Sequence, residues 1–371
     1  MIHENVDVAV VGAGPGGSTL AALLARRGYS VALIDRDAFP RDKLCGEFLS
    51  YDALPIAEAL GIDLDVAPLI ERCRIVSRRR TYEFVFPHPA RGVSRMMLDA
   101  ALHRCAVASG ATPLLATASA VTRESVTFDG GIIHARVVAG AWGRWGRFDK
   151  QLGRAFVRDR SHRNFGFKRH YRGIGTDGVV ELYSFAGGYL GVNDVEDGVT
   201  NICGLVHARR LQNHKGRWDA FVETIRAEEK VLDEMYARYA PAQEGFLSSD
   251  PVIFRARSAV EEGIFMIGDA SGVIDPLTGN GMAMAMQSAL LAAQSISDAL
   301  TGNRRRSEEV YRARHAEIFG PRIAWSRRVA FLLSRPALLD AALRFAPRNA
   351  GRFFLRKTRA DRDEIARMLS S

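Results

Sequence analysis

Gly12, Gly14 and Gly17 stand in the spacing G-x-G-x-x-G, after the run Val6, Val8, Val10, Val11 and before the Ala/Leu-rich stretch Ser18 to Arg27. The chemistry this spacing serves is the binding of a diphosphate. Gly12 permits a tight turn, Gly14 lets the backbone approach a pyrophosphate, and Gly17 lets helix and strand pack closely, with Pro15 and Gly16 inside the same turn. Unpaired N–H groups at the helix N-terminus then face the phosphates. "YSVALID" reads as the second strand. Its last residue, Asp35, falls about 20 residues on, where an acid accepts hydrogen bonds from a ribose. Arg36 and Arg41 follow directly and are assigned to the same site.

A second segment, "GIFMIGDASGVIDPLTGNGMAMAMQSALLAAQSI", lies more than two hundred residues downstream. It reads as an apolar strand ending in Gly268-Asp269, a small-residue loop carrying Pro276 and Gly279, and a helix starting near Gly281. An Asp at that strand end can hydrogen-bond a ribityl chain, and the first N–H groups of the helix can stabilise negative charge on a reduced isoalloxazine. A strand-helix unit with a turn Asp is the plainer reading of this segment alone. Coupled to the glycine fingerprint, it points to FAD rather than NAD.

The elements that must position these motifs follow from patterning. The expected fold is α/β: a Rossmann-like FAD-binding domain, an interleaved antiparallel-sheet substrate domain and a helical C-terminal cap. The flavin domain takes residues 1–75, 92–160 and 258–315, the substrate domain 76–91 and 161–257, and a basic helical cap 316–371. "RCRIVSRRRTYEFVFP" reads as a hairpin. "FGFKRHYRG", "DGVVELYSFA", "GGYLGVN" and "GVTNICGLV" read as strands separated by glycine-bearing turns. "RWDAFVETIRAEEKVLDEMYARY" reads as one or two amphipathic helices.

With the segment "FPRDKLCGEFLS" added, the chain resembles the geranylgeranyl reductase and flavin-dependent monooxygenase/halogenase superfamily, of the para-hydroxybenzoate hydroxylase type of fold. The resemblance covers most of residues 5–300. It implies that Cys45, Gly46 and Phe48 belong to a loop beside the flavin. It further implies that Arg95 binds FAD ahead of a helix, that Val121 falls near the strand whose backbone holds adenine, and that Asp269, Gly281 and Met282 contact the ribityl chain and isoalloxazine. Two departures stand out. Where aromatic hydroxylases carry G-A-D-G, implicated in binding FAD and NADPH, this chain has "VVAGAWGRWGRFDK", with Trp142 in place of the Asp and Gly146 where a Ser is usual. Neither the reductases' Y-x-W-x-F-P nor the halogenases' W-x-W-x-I-P is present in "GGYLGVNDVEDGVTNICGLV". The halogenase reading also requires a lysine near the flavin, for which Lys43 is the nearest in sequence.

Flavin chemistry asks little of side chains, since the cofactor carries it and the protein orients substrate and excludes water. Cys45, Glu47, His170 and Tyr189 are the candidate catalytic residues. Each has a plainer reading: Cys45 as a small apolar residue, Glu47 as a carboxylate bonded to loop amides, His170 as a satisfied structural histidine, and Tyr189 as pocket lining. Asp275 and Asn280 flank "PLTG" and could simply stabilise that turn. Phe165, Phe167, Tyr183, Phe185 and Tyr189 suggest an apolar pocket, or else the core of a small sheet.

Composition bounds the rest. The 371 residues are 47% hydrophobic and 25% charged, as in a globular protein. No apolar run reaches about 18 residues, and the first strand begins within a few residues of Met1, so a cytoplasmic location is expected. The four cysteines show neither C-x-x-C nor metal spacing, so no metal is expected. From Arg304 onward there are 17 Lys/Arg against seven Asp/Glu, which accounts for the whole net charge of +9. No nucleic-acid module accompanies this tail. Its alternation of cations and apolar residues fits a helical cap with a solvated basic face, or helices resting on a membrane surface.

The function expected is an FAD-dependent monooxygenase acting on a lipophilic or aromatic secondary metabolite. Saturation of prenyl double bonds is the alternative, flavin-dependent halogenation ranks lower, and a flavin-binding protein without turnover is disfavoured by the complete pocket-forming domain. NAD(P)H is the expected electron donor, directly or through a partner flavin reductase. The loss of the Asp at Trp142 predicts slow direct reduction.

Overall fold

The computed structural model describes residues 2–159, 164–214 and 216–370. Its first sheet has the order Val260–Glu261, Ile264–Met266, Gly131–Gly140, Ile2–Val11, Val31–Asp35, Thr112–Leu115. Along this path every pairing is parallel except that of the edge strand Val260–Glu261, and Ser125–Phe128 adds an antiparallel branch between Gly131–Gly140 and Ala118–Val121. Side chains alternate across it. Val8, Val10, Val31 and Leu33 join one core with helices Pro15–Arg26 and Gly281–Thr301. Ala9, Val11, Ala32 and Ile34 join another with Phe128 and Phe148. Strands covered on both faces must be apolar throughout, which is why Val8–Val11 carries no polar residue. Helix Pro15–Arg26 meets Gly281–Thr301 closely because Gly16 lacks a side chain: a Cβ there would lie 3.1 Å from the Ala285 carbonyl oxygen.

The second sheet runs Tyr239–Pro241, Asn164–Gly173, Val199–His207, Gly188–Val195, Val179–Phe185, Leu69–Val76, Thr81–Gly92, Phe48–Leu49, with Leu247–Ser248 also on Asn164–Gly173. The predicted strands and hairpin are all here, but the sheet is mixed, because Val179–Phe185 runs parallel to Leu69–Val76. The expected domain limits also shift. The 75/76 boundary cuts the strand Leu69–Val76, and 315/316 falls within the single helix Arg304–Leu333. The 160/161 boundary lies outside the described residues. Helical periodicity cannot mark a domain limit where one helix serves both sides.

Helices Pro336–Arg344, Ala350–Thr358 and Arg362–Ser370 fold back as a cap. A buried polar knot anchors it. Asp52 Oδ2 accepts hydrogen bonds from Asn280 Nδ2 (3.2 Å), Gln287 Nε2 (3.0 Å) and the Ala360 N–H (3.1 Å). Among the described residues, no helix is long and apolar enough to cross a membrane.

Candidate functional site

One cavity of about 660 Å³ runs along the seam between the two sheets and under the cap. Its first half is built by the glycine turn. Gly12 holds φ +106°, and a Cβ on it would come within 2.3 Å of the Ala141 carbonyl oxygen; a Cβ on Gly17 would lie 1.8 Å from the Gly12 oxygen. These two glycines shape the turn. Gly14 differs: its φ is −71°, and a Cβ there meets only the Arg95 guanidinium, at 3.8 Å. The space over Gly14 is what a pyrophosphate needs. Gly12, Gly14, Pro15 and Gly16 line the cavity, whereas Gly17 lies beneath them.

Asp35, Arg36 and Arg41 line the next stretch. Asp35 accepts the Ala13 N–H at 2.7 Å and two bonds from the Arg41 guanidinium, at 2.5 and 2.8 Å. Burial alone would raise the Asp35 carboxyl, but the Arg41 and Ala13 hydrogen bonds outweigh it and hold it below the usual range. Arg95 is fixed by Asp99, a fully buried carboxylate, through bonds of 2.7 and 2.6 Å. Ala116, Thr117 and Ala118 complete this end of the lining. Val121 does not reach it: its side chain is buried and its carbonyl already accepts a bond from Gln151 Nε2 at 2.8 Å. Val121, expected near a strand whose backbone holds adenine, thus stands outside the lining, which Ala116–Ala118 form at this end.

At the far end, Cys45, Gly46, Glu47 and Phe48 face Gly268, Asp269, Pro276, Gly279, Gly281 and Met282 across the cavity. The carboxylate of Glu47 is fully buried and engaged: Lys168 Nζ at 2.7 Å, His170 Nε2 at 2.7 Å and the Arg95 N–H at 3.0 Å. Lys168, itself fully buried, also reaches Asp42 at 2.6 Å. Burial alone would lower the Lys168 ammonium, but Glu47 and Asp42 hold it above its ordinary value. Glu47 has φ +54°, a strained conformation for a residue with a side chain, and this cluster keeps it there. Glu47, expected either as a catalytic group or as a carboxylate bonded to loop amides, is instead bonded mainly to Lys168 and His170, and His170 lies behind the loop instead of lining the cavity. Lys168 was missed in the sequence; a lysine in a strand of otherwise alternating pattern was its only signal.

Beyond that end the cavity opens into an apolar chamber. Period-two alternation decides which residues enter it. On Val179–Phe185, Val180 and Leu182 line the chamber, while Tyr183 and Phe185 turn to the opposite core with Phe167 and helix Trp218–Glu228. Phe165 packs on that core too, so of the five aromatic residues expected to form a pocket only Tyr189 lines it. The apolar lining comes instead from Tyr82, Phe84 and Phe86 and from the cap, through Leu339, Leu343, Phe354 and Leu355. Gly351 allows this fit, since a Cβ on it would lie 2.3 Å from the Phe84 ring. The Gly351 N–H donates to the Tyr82 hydroxyl at 3.1 Å.

Where chamber and flavin-side loop meet, the Tyr189 hydroxyl donates to Asp275 Oδ1 at 2.5 Å. Asp275 stands behind Tyr189, off the cavity surface, and also takes the Leu277 N–H at 3.1 Å. Burial raises the Asp275 carboxyl to about 6. Burial and the Asp275 carboxylate both push the Tyr189 phenol well above its ordinary value. Burial likewise pushes the Cys203 thiol, on the same wall, up to about 12. Asn280 is tied to Asp52 and the Thr358 carbonyl, a structural role. Among the described residues, no group of His, Cys, Asp or Glu could hold a metal ion.

These residues fit a flavin dinucleotide: an open cradle over Gly14, an acid at the second strand end, and two helix N-termini at the two ends of the groove. Comparison with known proteins agrees. A family model described as FAD binding domain matches residues 5–316. A menaquinone reductase of Mycobacterium tuberculosis is 26% identical over 373 residues, covering 91% of this chain and 86% of that protein. A tryptophan 2-halogenase of Chondromyces crocatus is 26% identical over 334 residues; the match covers 81% of this chain and 63% of that enzyme. Among solved structures, a geranylgeranyl bacteriochlorophyll reductase-like protein of Thermoplasma acidophilum superposes with a TM-score of 0.79 at 20% identity, covering 100% of this chain and 97% of the other.

Proposed function

This chain belongs to the FAD binding domain family, and we propose that it is a monooxygenase that hydroxylates a lipophilic substrate bearing its own hydroxyl group. The observation that carries the reading is the Tyr189–Asp275 pair, a hydrogen-bonded couple at the mouth of a largely apolar chamber whose lining also includes the buried Arg359. Bound FAD, once reduced by NAD(P)H or a partner flavin reductase, would supply two electrons to dioxygen, one atom entering the substrate and the other leaving as water. Cys45–Phe48 and Gly279–Met282 would hold its ring at the chamber mouth. Tyr189 spends its proton on Asp275, which leaves its oxygen free to accept one from a substrate hydroxyl. That relay raises electron density on an aromatic ring, which is what attack by an electrophilic oxygen requires. A buried phenol of raised pKa is poorly suited to protonating an alkene carbon. The cap excludes water from the same space.

Tyr189→Phe keeps the ring and removes the relay. It is expected to lower turnover by roughly 10²–10⁴-fold with FAD content unchanged. Activity of the parent should rise with pH through about 6 as Asp275 ionises, then level off. Asp275→Asn should abolish that limb. A parent profile flat from pH 5 to 8, within about twofold, would remove Asp275 from the reaction.

A menaquinone reductase and digeranylgeranylglycerophospholipid reductases among the relatives support a second reading, saturation of an isoprenoid double bond. Mass analysis of products formed in air and without oxygen separates the two. A gain of one oxygen, only in air, supports hydroxylation; a gain of two hydrogens without oxygen supports reduction. Halogenation is disfavoured, because the lysine of the lining is Lys43, paired with Asp37 at 2.9 Å outside the chamber, and Lys168 is locked under the loop.

The electron donor is read from Trp142. Its indole packs at a tilt of 55° on Phe148 (ring centroids 5.0 Å apart) and against Gly140 and Gly146, where a hydroxylase would present an acid. Mixing the free enzyme with NADPH or NADH in a stopped-flow cell should leave the flavin oxidised over many turnover times. Substrate or a partner flavin reductase should restore reduction. Rapid bleaching by either nucleotide alone would show direct donation.

A further inference from the structure

The cap has two apolar faces. Its inner side chains, Leu339, Leu343, Phe354 and Leu355, line the chamber. Its outer side exposes Leu338 (47%), Phe345 (79%) and Phe353 (45%), and the end of helix Arg304–Leu333 beside it exposes Phe331 (53%). A helical lid over a closed pocket has no need of phenylalanines on its solvent side.

Each exposed aromatic ring lies beneath a cation. The Arg335 guanidinium is 3.7 Å from the Phe331 ring centre, Arg344 is 5.5 Å from Phe345, and Lys357 is 5.7 Å from Phe353. Arg327, Arg328, Arg348, Arg352 and Arg356 are also exposed in this stretch of chain. From residue 325 to residue 358 there are eight cations and one acid, Asp340. Asp340 is turned to the backbone N–H of Arg79. None of the eight has a carboxylate within 4.0 Å among the described residues. By contrast, Arg74, Arg78, Arg95, Arg154 and Arg238 each meet a carboxylate within 3 Å. A surface of phenylalanines set among unneutralised arginines is complementary to anionic phosphates lying over hydrocarbon.

We infer that the outer face of the C-terminal cap docks on an anionic phospholipid bilayer. The phenylalanines enter the headgroup boundary and the arginines meet the lipid phosphates. Rings and cations are already paired, so one insertion places both in their preferred layers. The same helices wall the chamber from within, so docking sets the chamber against the phase that holds lipophilic molecules. That last step rests on the proposed substrate class; the docking does not.

Flotation of the yellow holoenzyme with vesicles tests it. Vesicles of phosphatidylcholine and phosphatidylglycerol in equal parts should carry the protein, and vesicles of phosphatidylcholine alone should not. Binding should vanish at about 1 M salt, where charges are screened beyond roughly 3 Å. The triple variant Phe331→Ser, Phe345→Ser, Phe353→Ser and the triple variant Arg335→Glu, Arg344→Glu, Arg348→Glu should each partition roughly tenfold or more weakly. Retained FAD absorbance would show that both fold. Failure of the parent to float with anionic vesicles overturns the inference, as does equal flotation of both folded variants. A shift from dimer to monomer in the Phe variant, without parent flotation, would assign this face to a second copy of the chain. Turnover of a detergent-dispersed substrate reports on the proposed chemistry separately, since neither variant touches the chamber.

Discussion

Gly14→Val should yield a folded protein without yellow colour. The valine side chain fits the backbone, because Gly14 already holds a negative φ of −71° and a Cβ there meets only the Arg95 guanidinium at 3.8 Å. What it fills is the space over the turn. Displacing a diphosphate from two or three charge-assisted bonds, each worth roughly 1.5–3 kcal/mol, weakens binding by more than roughly a hundredfold. The control is Gly17→Val, whose Cβ would lie 1.8 Å from the Gly12 oxygen and should cost the fold itself. Circular dichroism and flavin absorbance of the two proteins read the difference. A Gly14→Val protein that keeps full flavin occupancy would place the cofactor elsewhere.

The second large effect is expected at a residue that touches neither chamber nor cradle. Lys168→Met should destabilise the chain by about 3–5 kcal/mol, because it leaves Glu47 buried without its cation. Lys168 and Glu47 are both fully buried, 2.7 Å apart, and Glu47 holds its strained φ of +54° against that contact. With the lysine gone, the loop Cys45–Phe48 loses its anchor, so flavin retention should fall together with stability. Lys43→Met is the informative comparison. Lys43 also meets an acid, Asp37 at 2.9 Å, but both side chains are more than a third exposed, and the loss should stay within about 1 kcal/mol. Urea unfolding of the two variants separates a buried pair from a screened one. Equal small losses would mean that Glu47 is held by the Arg95 N–H and His170 alone.

The glycine turn, the strand-end acids Asp35 and Asp269, and the helix starting near Gly281 were legible in the sequence because each is local. Their chemistry depends on backbone groups within a few residues, and spacing along the chain determines that geometry. The strands of the second sheet were legible for the same reason, since alternation and glycine turns are short-range signals. Alternation alone does not say which of two faces meets a ligand. Tyr183 and Phe185 were candidates for the pocket, yet Leu182 and Val180 line it, because the parallel pairing with Leu69–Val76 turned even-numbered positions toward the cap. The ion-pair partner of Glu47, Lys168, comes from 121 residues away, which no local pattern shows. His170 and Val121 likewise stand off the cavity lining, one bonded to Glu47 and the other, through its carbonyl, to Gln151. The sequence by itself determined the flavin-binding fold and its phosphate cradle, because short-range backbone geometry encodes them. Only the tertiary structure decided the chamber and its Tyr189–Asp275 pair, because those depend on contacts between strands and helices far apart along the chain.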